Sequence, residues 1–198
     1  MDLDNAHCSV EKYQSSIALF DHLNRDCDWV FLGDSITNAG RWNELFPAQR
    51  VSNQGIDGDT VKGMVGRSQY VINMNPKTVF ILSGINDIIQ KRHTDCIIEQ
   101  YQQLIGTLIQ SGCNVVIQST LLTGDLVWNE GVIELNNKLK QICHKLGITF
   151  LDLNRPLGFE KSIDHESTYD GVHLQPHVYI KWQKAIMDYV HNSTNQSL

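Results

Sequence analysis

The chain has 198 residues, 41% of them apolar and 19% charged, the composition of a folded globule whose core would bury roughly 70% of the unfolded surface. A formal net charge of -6 with no clustered Lys or Arg opposes binding along a phosphate backbone, so no nucleic acid partner is expected. The start, MDLDNAHCSVEKYQSS, is acidic and polar, and no apolar run is long enough to cross a bilayer; a cytoplasmic protein without a membrane span is the expectation.

In chain order, Tyr13, Ile17, Phe20 and Leu23 recur at helical spacing and predict an amphipathic helix over Val10–Asn24. A short apolar strand, WVFLG, follows. The alternation then repeats: a strand near RVSNQG, a helix over Thr60–Asn73, the strand KTVFILSG, a helix over Thr94–Ser111 and the strand NVVIQST. A helix over Asn129–Leu146, the strand ITFLDL, an irregular stretch and a last helix over Pro176–His191 complete the pattern, with residues 192–198 expected as a frayed polar tail. Short, continuously apolar strands alternating with helices predict a parallel sheet of about five strands with helices on both faces, a three-layer α/β domain occupying the whole chain, 1–198. Cys8, Cys27, Cys96, Cys113 and Cys143 are scattered and never spaced C-x-x-C, as expected of reduced thiols. The two N-x-S/T sequons in HNSTNQSL are expected to be chance matches.

In a parallel sheet, ligands bind beyond the carboxyl ends of the strands. Four polar segments fall there: GDS after the first strand, NQGIDGDT after the second, SGINDI after the third, and YDGVHLQP before the last helix. Each has an ordinary explanation. Ser35 either caps a helix or is a displayed nucleophile, Asn86 either shapes a turn or donates a hydrogen bond, and DGVH is either a plain turn or a positioned Asp-His pair. As chemistry, His173 would take the serine's proton, since histidine is the side chain that accepts protons near neutral pH. Asp170, three residues earlier, would fix its tautomer. The glycine-rich segment lacks the G-K-[ST] ending of a phosphate loop and the G-x-G-x-x-G spacing of a dinucleotide site.

Together, GDSIT, NQGIDGDT, GINDI and DGVH resemble the sequence blocks of the SGNH, or GDSL, hydrolase family, in family order from Gly33 to His173. Ile36 stands where the family shorthand has Leu, a like-sized apolar residue. The resemblance implies a flavodoxin-like sheet, a catalytic triad of Ser35, Asp170 and His173, and an oxyanion hole from the Ser35 and Gly55 N-H groups and the Asn86 side chain. It implies hydrolysis of a small-molecule ester without cofactor or metal. An α/β-hydrolase elbow, G-x-S-x-G, does not fit, because Thr37 holds its second glycine position. A metal site at His173 and His177 lacks an obvious third ligand, and Pro176 interrupts the helix such a pair would favour. The wording of the motifs is closest to the small esterase and acetylhydrolase branch, and no apolar insertion offers an acyl tunnel. The expected substrate is therefore a short, acetyl-like ester, and Trp128 either stacks on a sugar ring or packs the start of the following helix. A lysophospholipase or thioesterase on the same triad is the alternative, and a non-catalytic flavodoxin-like binding protein the alternative of another class.

Overall fold

Both faces of the sheet are covered, which is why its inner strands read as apolar runs, whereas the edge strand VSNQG carries Ser52, Asn53 and Gln54. The structure, a computed structural model, describes residues 3–23 and 25–195, with side chains from residue 10 to residue 193. Along the chain run α1 (Leu3–His22), β1 (Trp29–Gly33), α2 (Ser35–Asn38), α3 (Trp42–Leu45), β2 (Val51–Gly55), α4 (Val61–Gly66), α5 (Ser68–Ile72) and β3 (Thr78–Leu82). There follow α6 (Ile85–Ile89), α7 (Thr94–Gln110), β4 (Asn114–Gln118), α8 (Leu126–Leu146), β5 (Thr149–Leu151), α9 (Asn154–Leu157) and α10 (Pro176–Asn195). The five strands are all parallel, in the order β2-β1-β3-β4-β5. This is the three-layer α/β architecture expected from the alternation.

Successive strand residues point to opposite faces and build two apolar clusters. Trp29, Phe31, Phe80 and Val116 join Trp42, Phe46, Val178 and Trp182 on one face. Val30, Leu32, Val79, Ile81 and Ile117 join Met64, Tyr101, Leu104, Leu135 and Leu139 on the other. Thus α2, α3 and α10 cover one face while α4, α7 and α8 cover most of the other. The connection leaving β1 runs over the first face and the connection leaving β3 over the second. Their divergence opens a crevice at the carboxyl ends of these adjacent strands, the switch point where α/β sheets bind ligands.

Aromatic packing fixes the elements around that crevice. Trp42 stacks on Phe31 with ring centroids 4.0 Å apart and donates its indole N-H to the Thr37 carbonyl at 2.8 Å. Trp182 of α10 meets Trp42 edge-on and donates to Gln118 Oε1 at 2.7 Å. The Tyr179 hydroxyl donates to the Ile36 carbonyl at 2.8 Å. These bonds hold α10, near His173 in sequence, against α2, which begins at Ser35.

Several elements differ from the sequence expectation. The predicted helix over Thr60–Asn73 is two short helices broken at Arg67, whose guanidinium is buried against the ends of β1 and β2. α8 starts at Leu126 rather than Asn129, because Asp125 caps it by accepting the Val127 and Trp128 N-H groups. Its first turn exposes Leu126 and Val127, so the apolar periodicity starts only at Val132. α1 extends back to Leu3, and Leu23, expected on the core, is 60% exposed. Asn24, the predicted end of that helix, lies outside the described residues. α10 continues to Asn195, beyond the predicted start of a frayed tail; residues 196–198 lie outside the described residues. Cys27, Cys96, Cys113 and Cys143 are free thiols, while the side chain of Cys8 lies outside those described. No helix among the described residues is long and apolar enough to cross a membrane.

Candidate active site

The residue following β1 is the fully buried Asp34. Its Oδ1 accepts the Ile36 N-H at 3.0 Å, so Asp34, and not Ser35, is the N-cap of α2. Ser35 becomes the first helical residue, half-buried, with an N-H that has no acceptor in its own helix and a hydroxyl not spent on capping. That hydroxyl meets His173: Ser35 Oγ lies 2.8 Å from His173 Nε2.

His173 is held from behind by its own turn. Thr168 Oγ1 donates to the His173 carbonyl at 2.6 Å and accepts the Gly171 N-H at 2.9 Å, beside an antiparallel bridge between Thr168 and Leu174. Asp170 Oδ1 accepts the N-H groups of Val172 and His173 at 2.9 and 2.8 Å, while its Oδ2 lies 2.6 Å from His173 Nδ1. Partial burial acts to raise the Asp170 pKa, but the His173 and Val172 N-H groups and the imidazole outweigh it and hold the carboxyl below its ordinary range. A charged Asp170 favours the proton on Nδ1, leaving the Nε2 lone pair directed at Ser35. A serine, an imidazole and a carboxylate bonded in this order can generate an oxygen nucleophile.

Beneath them lies a buried layer of charge. Arg67 Nε donates to Asp59 Oδ2 at 2.7 Å, with both side chains nearly solvent-free, and its Nη2 donates to the carbonyls of Gly33 and Gln54 at 3.1 and 2.8 Å. Burial raises the pKa of Asp59 despite this partner. Asp87 Oδ2 accepts the Val61 N-H at 3.1 Å, and burial raises its pKa also. Burial pushes Asp34 up to about 7, against the Ile36 N-H and the nearby imidazole, which favour its charge. The Asp34 Oδ2 has no hydrogen-bond partner among the described residues. Arg67 thus ties the ends of β1 and β2 to the loop after β2 that leads toward Asn86.

Asn86, half-buried at the start of α6, donates one Nδ2 hydrogen to the Asp59 carbonyl at 2.9 Å and keeps a second for another acceptor. Gly55 is placed otherwise than expected. Its N-H donates to Asn53 Oδ1 at 2.9 Å, and a Cβ at this position would lie 2.2 Å from the Asn38 nitrogen. Gly55 therefore serves close packing of β2 on α2, and its amide is engaged. The open amide of the loop is that of Gly58, which has φ +73, no atom within 4 Å of a Cβ position and no recorded acceptor among the described residues. The left-handed conformation favours glycine there, a signal already visible in the sequence as the second glycine of NQGIDGDT. Trp128, expected in a loop, stands half-buried in the first turn of α8 with its N-H on Asp125 Oδ1, and it does not line the cavity beside His173. His177 is exposed on α10, and no group of three metal-ligating side chains assembles among the described residues.

Residues 31–179 match the GDSL-like lipase/acylhydrolase family. Among solved structures, a GDSL-like lipase from Bacteroides thetaiotaomicron superimposes with a TM-score of 0.79 at 21% identity, covering 91% of this chain and 98% of the other. An acetylxylan esterase from Geobacillus stearothermophilus, solved as a mutant, gives a TM-score of 0.70 at 20% identity, covering 83% and 94%. In sequence, an N-acylneuraminate cytidylyltransferase of Streptococcus agalactiae is 24% identical over 153 residues, 76% of this chain but 36% of that protein. The chain spans little more than a third of that relative's length.

Proposed function

Because the chain belongs to the GDSL-like lipase/acylhydrolase family, we propose that this hydrolase is a serine esterase that cleaves a short-chain, acetyl-type ester of a carbohydrate through an acyl-enzyme. The observation that carries this reading is the run of contacts from Ser35 through His173 to Asp170, 2.8 and 2.6 Å long. His173 Nε2 takes the Ser35 proton as Oγ attacks the carbonyl carbon. Asp170 keeps the other imidazole proton on Nδ1 and stabilises the imidazolium. The developing oxyanion is received by the Ser35 N-H, the Gly58 N-H in place of Gly55, and the free Nδ2 hydrogen of Asn86. Such donors matter because they act where charge appears in the transition state. His173 then protonates the departing alcohol, and water, activated by the same imidazole, releases the acid.

The short acyl group is supported by what surrounds Gly58. Asn38 Nδ2 donates to Asp57 Oδ1 at 2.8 Å and Lys12 Nζ to Asp57 Oδ2 at 2.6 Å, a polar, exposed surface that gives a long chain nothing to bury against. Each unburied methylene forgoes about 0.8 kcal/mol, so the six extra methylenes of an octanoyl ester forgo on the order of 5 kcal/mol relative to a lipase groove. The test is kcat/KM on chromogenic esters of graded acyl length and one alcohol, followed by acetylated sugars. Acetyl is expected to equal or exceed octanoyl. An octanoyl preference of about tenfold or more would reassign the protein to lysophospholipase or thioesterase chemistry.

A further inference from the structure

A cavity of about 880 Å³ opens beside His173, walled by the segment from Ala39 to Leu45 on one side and by Tyr169 to Ile180 on the other. Its lining is mostly apolar, with Tyr169, Leu174, Pro176, Tyr179 and Ile180 on one wall, and its polar groups are Arg41, Glu44 and Gln175. We infer that this cavity binds the alcohol half of the ester, and that it takes a ring alcohol with one apolar face and hydroxyls at its edge, the chemistry of a pyranoside. The inference rests on the esterase reading above and goes beyond it in assigning the surface that selects the alcohol.

The argument starts from the proton. When Ser35 Oγ bonds to the carbonyl carbon, the bond from that carbon to the alcohol oxygen breaks, and this oxygen takes the proton that His173 Nε2 received from Ser35. The alcohol oxygen must therefore come within hydrogen-bond reach of Nε2, about 3 Å. The rest of the alcohol then lies along the side of the site that His173 and its flanking residues wall. That wall continues directly into the cavity. Tyr169 stacks on the His173 imidazole with centroids 5.7 Å apart and planes 10° from parallel, yet the residue is 65% exposed. The contact is offset, so the ring keeps open surface toward the cavity that it lines. Ala39, the opposite rim, caps the helix that begins at Ser35. An aromatic face gains most from the C-H face of a ring, and a plain alkyl alcohol would leave the polar groups unused. Arg41 and Glu44, paired at 2.6 Å on the exposed rim, and Gln175 supply donors and acceptors for ring hydroxyls. Ile180, 57% exposed on α10, adds an apolar side chain to the lining.

The test compares two esters of one acid, ethyl acetate and a monoacetylated methyl pyranoside, on wild type, Tyr169→Ala and Ile180→Trp. The first variant removes the platform; the second places an indole at a position that lines the cavity, on the outer side of α10 where the fold does not depend on the residue's size. The readout is the ratio of kcat/KM for the pyranoside to that for ethyl acetate, in which any shared effect on His173 cancels. The expected result is a fall of about tenfold or more in both variants, carried by KM for the pyranoside. An unchanged ratio in folded Ile180→Trp overturns the inference while leaving the esterase intact. So does a loss confined to long-acyl esters, which would make the cavity an acyl groove. Wild type that hydrolyses neither ester would overturn the esterase reading itself, and the inference with it.

Discussion

Asp34→Asn tests the buried carboxyl beneath the site through the pH dependence of stability. The side chain is fully buried, its Oδ1 holds the Ile36 N-H, its Oδ2 has no partner among the described residues, and Asp59 adds a second carboxylate nearby. Burial, first, and the Asp59 charge raise its pKa from 3.8 to about 7. The folded state therefore holds a proton that the unfolded chain releases near pH 4. Between pH 4 and 7 the native protein binds one more proton than the unfolded chain, so this group's contribution to stability falls as pH rises, and levels off above 7. At about 1.4 kcal/mol per pH unit, the loss between pH 5 and 8 is about 3 kcal/mol. Asparagine keeps the cap acceptor and cannot ionise; any cost of its unpaired amide is the same at both pH values. Urea unfolding of both proteins at pH 5 and pH 8 isolates the effect. The stability of Asp34→Asn relative to wild type is expected to improve by about 3 kcal/mol on going to pH 8. Parallel pH dependences, within about 0.5 kcal/mol, would refute the assignment of a proton to Asp34.

Asn86→Ala is expected to lower kcat by about 100-fold or more with little change in KM, because its free Nδ2 hydrogen is worth most in the transition state; steady-state kinetics on an acetyl ester would check this, and a pure KM effect would make Asn86 a ground-state contact. Arg67→Ala leaves the buried Asp59 without its partner and strips the Gly33 and Gln54 carbonyls of their donor, so a loss of about 3–5 kcal/mol is expected in urea unfolding, and a loss under about 1 kcal/mol would contradict the pinning role given to this residue.

The strands and the edge at their carboxyl ends were legible in the sequence because their signal is local: the inner strands are short apolar runs that both covered faces demand. Polar residues that end such runs were legible for the same reason, and Ser35, Asn86, Asp170 and His173 fall where the alternation put them. What depended on which partner a side chain takes was not legible. Spacing alone cannot say that Asn53 occupies the Gly55 amide, nor that the capping of α2 falls to Asp34 and so leaves the Ser35 hydroxyl for His173. The break at Arg67 follows from carbonyls on two strands, and a helical pattern of Val61, Met64 and Val71 runs straight through it. Asp125 caps α8, but the exposed Leu126 and Val127 hid the first turn and left Trp128 looking like part of a loop. The cavity beside His173 is built from residues 39–45 and 169–180, and neither segment reads as a pocket by itself.

The central claim is that Ser35 is the nucleophile, and the most direct measurement is the turnover of Ser35→Ala on an acetyl ester, made on protein whose circular dichroism and urea midpoint match wild type. Loss of the Oγ removes the only atom that the account allows to form the acyl-enzyme, while the oxyanion donors and the cavity remain. The account predicts a fall in kcat of at least about 1,000-fold, to a residual that binding and the oxyanion donors alone can sustain. A folded Ser35→Ala that turns over the ester at the wild-type kcat would contradict it.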